Sequence, residues 1–184
     1  MIGDDDKVLV IDAAHDAGAI AAAIGGRRVV AILCTHGHDD HIDAAPDLAA
    51  RTGAPIYLHP ADAPLWGMKH RDRRPDVDLV DGASITVAGV GGTVLHTPGH
   101  TPGAVCLYFP DLGDFGVVFT GDTLFSGGPG ATGRSYSDFP TIIDSISHRL
   151  LNLPSATVVH TGHGDDTTIG AEAPHLEDWI ARGH

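Results

Sequence analysis

The sequence predicts an α+β protein, a four-layer αββα sandwich of two similar half-sheets in one domain, and two observations point there. A weak internal repeat comes first: Val8 to Ile11, Asp12, Asp16 to Ile24, Arg28 to Cys34 and Thr35-His-Gly-His38 are echoed by Val117 to Thr120, Asp122, Thr141 to Leu151, Thr157 to His160 and Thr161-Gly-His-Gly164. Each copy runs strand, aspartate, helix, strand, and ends on groups that ligate metals. Length and composition agree, since 184 residues at 42% hydrophobic bury one substantial core and are short for two domains. Periodicity by itself leaves a doubly wound sheet open.

In chain order, Met1 to Asp12 reads as the end of one strand, an acidic turn and the strand Val8 to Ile11. Asp16 to Ile24 is alanine-rich with helix propensity and is closed by Gly25-Gly26. The β-branched run Arg28 to Cys34 is a buried strand, and at its end stands Cys34-Thr-His-Gly-His-Asp-Asp-His-Ile-Asp43. His36, His38, Asp40 and His41 fall within six residues there. Imidazole and carboxylate are ligands for zinc, iron and manganese, and one short loop holding four of them is an electrostatic oddity without a cation. The segment reads as a metal site for two ions.

Beyond it, Ile42, Ala45, Leu48 and Ala49 recur at helical spacing until Gly53, which puts Asp40 and His41 at a helix start. Ile56 to Leu58 is a strand, Pro60 to Trp66 a short helix, and His59 a structural residue. Lys69-His-Arg-Asp-Arg-Arg74 is a basic run in an acidic chain; a solvated loop is the favoured reading, and a lid that contacts a carboxylate on the substrate's thiol carrier the alternative. Ser84 to Val87 and Thr93 to Leu95 are strands, and Thr97-Pro-Gly99 forms a tight turn that delivers His100 inward. Ala104 to Phe109 and Val117 to Thr120 are further strands, the latter ending at Asp122. Ser126 to Pro140 is too glycine-rich for an element and too long for a mere connection, so it is expected to line a site. A last helix lies around His175 to Ala181.

These motifs, T-H-x-H-x-D-H with His96-Thr-Pro-Gly-His-Thr-Pro-Gly103, Gly121-Asp-Thr-Leu-Phe125 and Thr161-Gly-His-Gly164, resemble those of the metallo-β-lactamase-fold hydrolases, most closely the glyoxalase II-like thioester hydrolases. The resemblance spans nearly the whole chain and decides for the sandwich. It implies that His36, His38 and His100 hold one divalent ion, Asp40, His41 and His163 the other, and that Asp122 bridges them, with Asp40 and Asp122 as the catalytic carboxylates. Zinc is the implied metal, with iron or manganese as alternatives. Two ions sharing a water lower its pKa towards neutrality, and the hydroxide attacks the acyl carbon of a small thioester. No serine-nucleophile elbow is recognisable in the chain.

Asp12 matches an aspartate that the family keeps near its site, although Ala13-Ala14-His15 replaces the usual Pro-Gly, so a supporting role and a helix cap both stay open for Asp12, and His15 is expected to be solvated. Arg134 and Asp138 match a G-R-x-D-F-P segment that carries the insertion Tyr136-Ser137 here. Arg134 paired with Asp138 is the favoured reading; Arg134 and Tyr136 facing substrate is the alternative. The family usually has a strand or two before Met1, whose absence would leave a sheet edge open. The helical domain that grips glutathione in longer members of the family is expected to be absent.

Lys plus Arg number 11 against 24 Asp plus Glu, a net charge of −13, which argues against a nucleic-acid surface. Cys34 and Cys106 are too few for a disulfide framework and read as buried thiols of a reducing compartment, Cys34 being a weaker ligand candidate than the histidines. No signal peptide or membrane span is recognisable, so a cytoplasmic enzyme acting on a small molecule is expected. Persulfide dioxygenases, which hold a single iron, and lactonases resemble the same motifs and are the alternatives. Composition leaves the oligomeric state open.

Overall fold

The computed structural model describes residues 1–183, which divide into two compact units: residues 1–79 with 86–90, and residues 80–85 with 91–184 less the final residue. The first unit is a five-stranded sheet in sequence order: β1 (Ile2–Gly3), β2 (Lys7–Ile11), β3 (Arg28–Leu33), β4 (Ile56–Leu58) and β5 (Val77–Asp78). Only the β1–β2 turn is antiparallel; the other pairings are parallel and therefore need crossovers. Helix α1 (Ala17–Ile24) supplies the first crossover. Asp16 caps it by accepting hydrogen bonds from the Gly18 and Ala19 amides, and Gly25 ends it at φ 65°. The second uses α2 (Asp39–Ile42) and α3 (Ala45–Thr52), and the third a 3₁₀ turn (Pro60–Asp62) running into α4 (Ala63–Lys69).

Sequence expectation and structure differ slightly in the second crossover. The single helix read from residue 40 onwards is broken in two, because Pro46 lacks an amide proton for a continuous helix, and α3 restarts with Pro46 in its first turn. One face of the sheet buries Val8, Val10, Ile32 and Ile56 against Ile24, Ile42, Leu48 and Trp66 from the helices. That packing holds the loop after β3 from both ends.

A six-stranded sheet, all of it in the second unit except residues 86, 87 and 90, has the spatial order β13, β12, β9, β8, β7, β6. Its strands are β6 (Ser84–Val87), β7 (Val90–His96), β8 (Val105–Phe109), β9 (Val117–Gly121), β12 (Val158–Thr161) and β13 (Thr167–Thr168). β7, β8 and β9 form an antiparallel meander, and β9 then pairs parallel with β12 across a helical crossover. That crossover is α5 (Phe139–Ser145), which passes into a π-helical turn at Ile146–Leu150. The chain closes with α6 (Ile169–Glu172) and α7 (Leu176–Arg182). Val118, Leu124, Ile142, Ile146, Val159 and Trp179 make the core.

The sequence repeat is thus a structural one. Both β2–α1–β3 and β9–α5–β12 are strand–helix–strand units with parallel strands, so the C-terminal ends of their two strands lie side by side. In the first, Asp12 N–H donates to the Leu33 carbonyl; in the second, Gly162 N–H donates to that of Gly121. Each unit therefore places its aspartate beside its threonine- and histidine-bearing strand end. The glycine-rich stretch after Asp122, expected to hold no element, contains a small hairpin, β10 (Leu124–Phe125) and β11 (Gly128–Pro129). Its tip at Gly127 has φ 97°, which glycine supplies without strain. Among the described residues no helix is long and apolar enough to cross a membrane.

The basic run is anchored to this frame. Arg73 makes two hydrogen bonds to the Asp76 carboxylate, at 2.9 and 2.7 Å, and Asp76 also accepts from the Ile56 amide at the start of β4. Arg73 first, then the Ile56 amide, hold the Asp76 carboxyl below its usual range. A depressed folded-state pKa stabilises above the ordinary carboxylate range, and that stability is lost as pH falls through the lowered value. Asp76→Asn is accordingly expected to weaken the acid-side fall of the urea midpoint between neutral and acidic pH. An unchanged acid limb would show that the pair contributes nothing to folding.

Candidate metal centre

The first unit contributes the loop after β3. Thr35, His36 and His41 are buried, His38 is half-buried, and Asp40 on α2 keeps 46% of its side chain exposed. The imidazoles crowd one another: the His36 and His41 ring centroids are 4.1 Å apart, and His36 Nε2 lies 3.1 Å from His38 Nδ1. Asp12 organises this cluster from behind. Its Oδ2 accepts from the Thr35 hydroxyl at 2.7 Å and from His41 Nδ1 at 2.8 Å, while its Oδ1 accepts from the Thr35 amide.

A carboxylate can only accept, so His41 carries its proton on Nδ1 and presents a lone pair on Nε2. The Thr35 hydroxyl, spent on Asp12, is left to accept from His36 Nδ1 at 3.1 Å, which turns His36 Nε2 into an acceptor as well. Asp12 sits at φ 52°, a left-handed conformation that aspartate tolerates better than most residues, and α1 is capped by Asp16 instead. His15 is exposed, as expected, and its amide donates to Asp43.

Two residues that sequence reasoning passed over fix the same loop. Asp62, fully buried, accepts from the Gly37 amide at 2.7 Å. A side chain at Gly37 would place its Cβ 2.9 Å from that of Leu65 and 3.1 Å from the Asp62 carbonyl, so the gap between the two histidines must be glycine. Asp62 gave no signal because its partner is a backbone amide 25 residues away.

The second unit contributes His100, Asp122 and His163. His100 follows the Pro98-Gly99 turn, which is seated on α5: Ser145 Oγ donates to the Pro98 carbonyl at 2.7 Å, and the Asp138 amide to that of Gly99. Gly99 has φ 135°, and any Cβ there would come within 2.3 Å of the Ile142 backbone. His100 Nδ1 donates to the Ala131 carbonyl at 2.8 Å, leaving Nε2 as an acceptor 3.5 Å from Asp122 Oδ2. His163 Nε2 stands 3.8 Å from Asp122 Oδ1. The β10–β11 hairpin brings Gly130 back against Asp122, and a Cβ there would overlap the Asp122 carbonyl. Ala131 and Gly130 act through backbone atoms, which no residue pattern announces.

Elsewhere the expectations need correction. Among the described residues no ion pair joins Arg134 to Asp138: Asp138 caps α5, accepting from the Thr141 amide at 2.9 Å and the Thr141 hydroxyl at 2.5 Å. These bonds hold its carboxyl below the usual range. Arg134 and Tyr136 are exposed on the loop before it. Both cysteines are buried free thiols; burial pushes Cys34 well up and Cys106 to about 11, which keeps both protonated.

The chemistry of the donor sets fits cations. His100 Nε2 and Asp122 Oδ2 are acceptors that face one another at 3.5 Å, an arrangement that repels unless a positive charge is shared, and His163 Nε2 lies 3.8 Å from Asp122 Oδ1. Residues His36, His38, Asp40 and His41 in one unit, and His100, Asp122 and His163 in the other, offer nitrogen and carboxylate groups that could hold a metal ion. Beside the loop opens a cavity of about 290 Å³ lined by Gly37, His38, Asp39, Leu65, Met68 and Lys69.

A sequence profile described as the metallo-β-lactamase superfamily matches residues 1–163. Among its relatives, the chain is 34% identical to the probable metallo-hydrolase YqgX of Bacillus subtilis, over 91% of this chain and 85% of that one. It is 32% identical to the hydroxyacylglutathione hydrolase GloC of Haemophilus influenzae, over 94% and 87%. Among solved structures it resembles the BLEG-1 B3 metallo-β-lactamase, with a TM-score of 0.82 and 34% identity over 96% of this chain and 90% of that one. TTHA1623, crystallised in a di-iron-bound form, gives 0.78 and 36% over 89% and 85%. ETHE1 from Myxococcus xanthus gives 0.80 and 27% over 99% and 82%.

Asp12→Asn keeps the backbone conformation but removes the charge behind His41, so metal affinity is expected to fall by roughly tenfold or more. Competition against a chromogenic chelator measures it. Unchanged affinity would mean that Asp12 merely holds the turn.

Proposed function

Because this chain belongs to the metallo-β-lactamase superfamily, we propose that it is a metal-dependent hydrolase that cleaves a small acyl thioester of a low-molecular-weight thiol. In this reading His36, His38 and His100 serve one divalent ion, Asp40, His41 and His163 the second, and Asp122 lies between them. Zinc suits these nitrogen and carboxylate ligands, as do iron and manganese. When bound, the ions supply Lewis acidity, lowering the pKa of water towards neutrality and polarising a carbonyl.

The chain's own residues do the rest. Asp12 and the Ala131 carbonyl fix the His41 and His100 rings through their Nδ1 protons, so that both present Nε2. Asp40 Oδ2, 3.9 Å from His41 Nε2 on a half-exposed side chain, can take the proton that the attacking water gives up. The cavity beside His38 offers Leu65 and Met68 to the acyl chain and Lys69 to a negative charge. Arg134 and Tyr136, on the exposed loop before α5, reach towards the thiol carrier in this reading.

The observation that carries the reading is the donor set, histidine and aspartate acceptors facing each other with both cysteines buried and protonated, which favours water over a side chain as nucleophile. The likeness to GloC favours the thioester. A second reading, a mononuclear-iron persulfide dioxygenase, is favoured by the likeness to ETHE1.

A panel tests both: S-lactoyl and S-formyl thioesters of several cellular thiols, a homoserine lactone, a cephalosporin and glutathione persulfide, with thiol release and oxygen uptake followed together. Thiol release from a thioester is the expected result. Oxygen uptake with persulfide and no thiol release would establish the dioxygenase, and preferential lactone opening a lactonase. In the same assay Asp122→Ala is expected to lose turnover while keeping its far-ultraviolet circular dichroism. Full activity of that variant at verified metal content would refute the ligand set.

A further inference from the structure

A second, larger cavity lies in the first unit on the other flank of α4. It measures about 510 Å³, ample for a small molecule. It opens beyond the C-terminal ends of β4 and β5, the rim from which parallel sheets present ligand sites, while the histidine loop follows β3 on that same rim. Helix α4 is shared. Leu65, Met68 and Lys69 line the smaller cavity beside His38, and Trp66, Gly67 and His70 line this one.

Its chemistry is unusual for the molecule. Of 11 Lys and Arg in a chain of net charge −13, Lys69, Arg71, Arg73 and Arg74 lie within six residues, and the three arginines all line the cavity. Asp78 is its lining carboxylate. The wall is braced: the Trp66 indole N–H donates to the Arg73 carbonyl at 2.6 Å, Arg73 is committed to Asp76, and a 3.0 Å contact joins His70 Nε2 to the Ile42 carbonyl at the end of α2. Arg71 and Arg74 are exposed and make no ion pair among the described residues. An apolar floor of Pro60, Ala63, Pro64 and Pro75, with Leu58 and Trp66 buried beneath it, therefore carries two guanidinium groups not engaged by a carboxylate.

We propose that this cavity is a binding site for the anionic end of the substrate's thiol carrier, a carboxylate or phosphate held by Arg71 and Arg74 with its carbon skeleton on Ala63 and the prolines over Trp66. The identification of the occupant rests on the thioesterase reading; the binding of an anion does not. Only α4 separates the cavity from His38, so anion and sulfur stand about 10 Å apart, the extended span of a tripeptide-sized carrier. Lys69 continues the positive path along the same helix. A neutral carrier of equal length would leave the guanidinium groups without a partner.

The experiment uses the full-length, metal-loaded protein and two readouts. In nuclear magnetic resonance titrations with succinate and with inorganic phosphate, the Trp66 indole N–H signal shifts saturably while that of Trp179 stays. The double variant R71A/R74A weakens that binding about tenfold or more, because bonds from two charged donors are lost. In turnover, kcat/KM for a thioester of an anionic carrier relative to that of N-acetylcysteamine, a neutral one, falls about tenfold in the double variant through KM. Arg51→Ala, an exposed arginine on α3, changes neither readout. No saturable Trp66 shift with either anion, or a shift that R71A/R74A retains, overturns the site. Arginine-dependent binding with unchanged selectivity overturns its assignment to the carrier. Failure of the thioesterase reading leaves a different trace, no thioester cleaved while succinate binding is still read at Trp66.

Discussion

An imidazole lone pair and a carboxylate oxygen held 3.5 Å apart, as His100 Nε2 and Asp122 Oδ2 are, repel one another unless positive charge lies between them. Everything around the two clusters serves to keep such groups in place before any ion arrives. The first device is the parallel strand–helix–strand unit, which sets the end of one strand beside the end of the next, so that Asp12 meets Thr35 and Asp122 stands within reach of His163. The second is the set of protons fixed by acceptor-only partners, Asp12 behind His41 and the Ala131 carbonyl behind His100. Ring orientation and tautomer are then decided by the protein, and metal binding has less disorder to overcome.

Glycine makes this crowding possible at three places. Gly37 lets the histidine loop lie against α4, Gly99 lets its turn touch the backbone of α5, and Gly130 lets the hairpin close on Asp122. At each a Cβ would strike a neighbour, and at Gly99 the backbone conformation is one that other residues rarely adopt. The ligands are held by backbone as much as by side chains. That is why the glycine-rich loop after Asp122 contributes to the site through carbonyls and close approach.

Much of this was legible in the sequence because the signals were local. The β-branched run before Cys34, the glycine stop at Gly53 and the Pro98-Gly99 turn each specify their geometry within a few residues. The repeat around Asp12 and Asp122 appeared as two parallel crossovers. What stayed hidden depended on distant partners: Asp62 on Gly37, Ala131 on His100, and the Trp66 indole that braces a basic run the sequence did show. Arg134 and Asp138 were misread for a related reason. Asp138 precedes Thr141 by three residues at a helix start, and a local cap outweighs an exposed ion pair worth little in water.

We propose that His36, His38 and His100 hold one divalent ion and Asp40, His41 and His163 a second, with Asp122 between them. Elemental analysis of the protein purified without added metal or chelator tests it most directly, read per mole of folded chain. The account predicts about two divalent ions per chain, zinc or a zinc-containing mixture. A single iron per chain, unchanged after incubation with zinc, would contradict it.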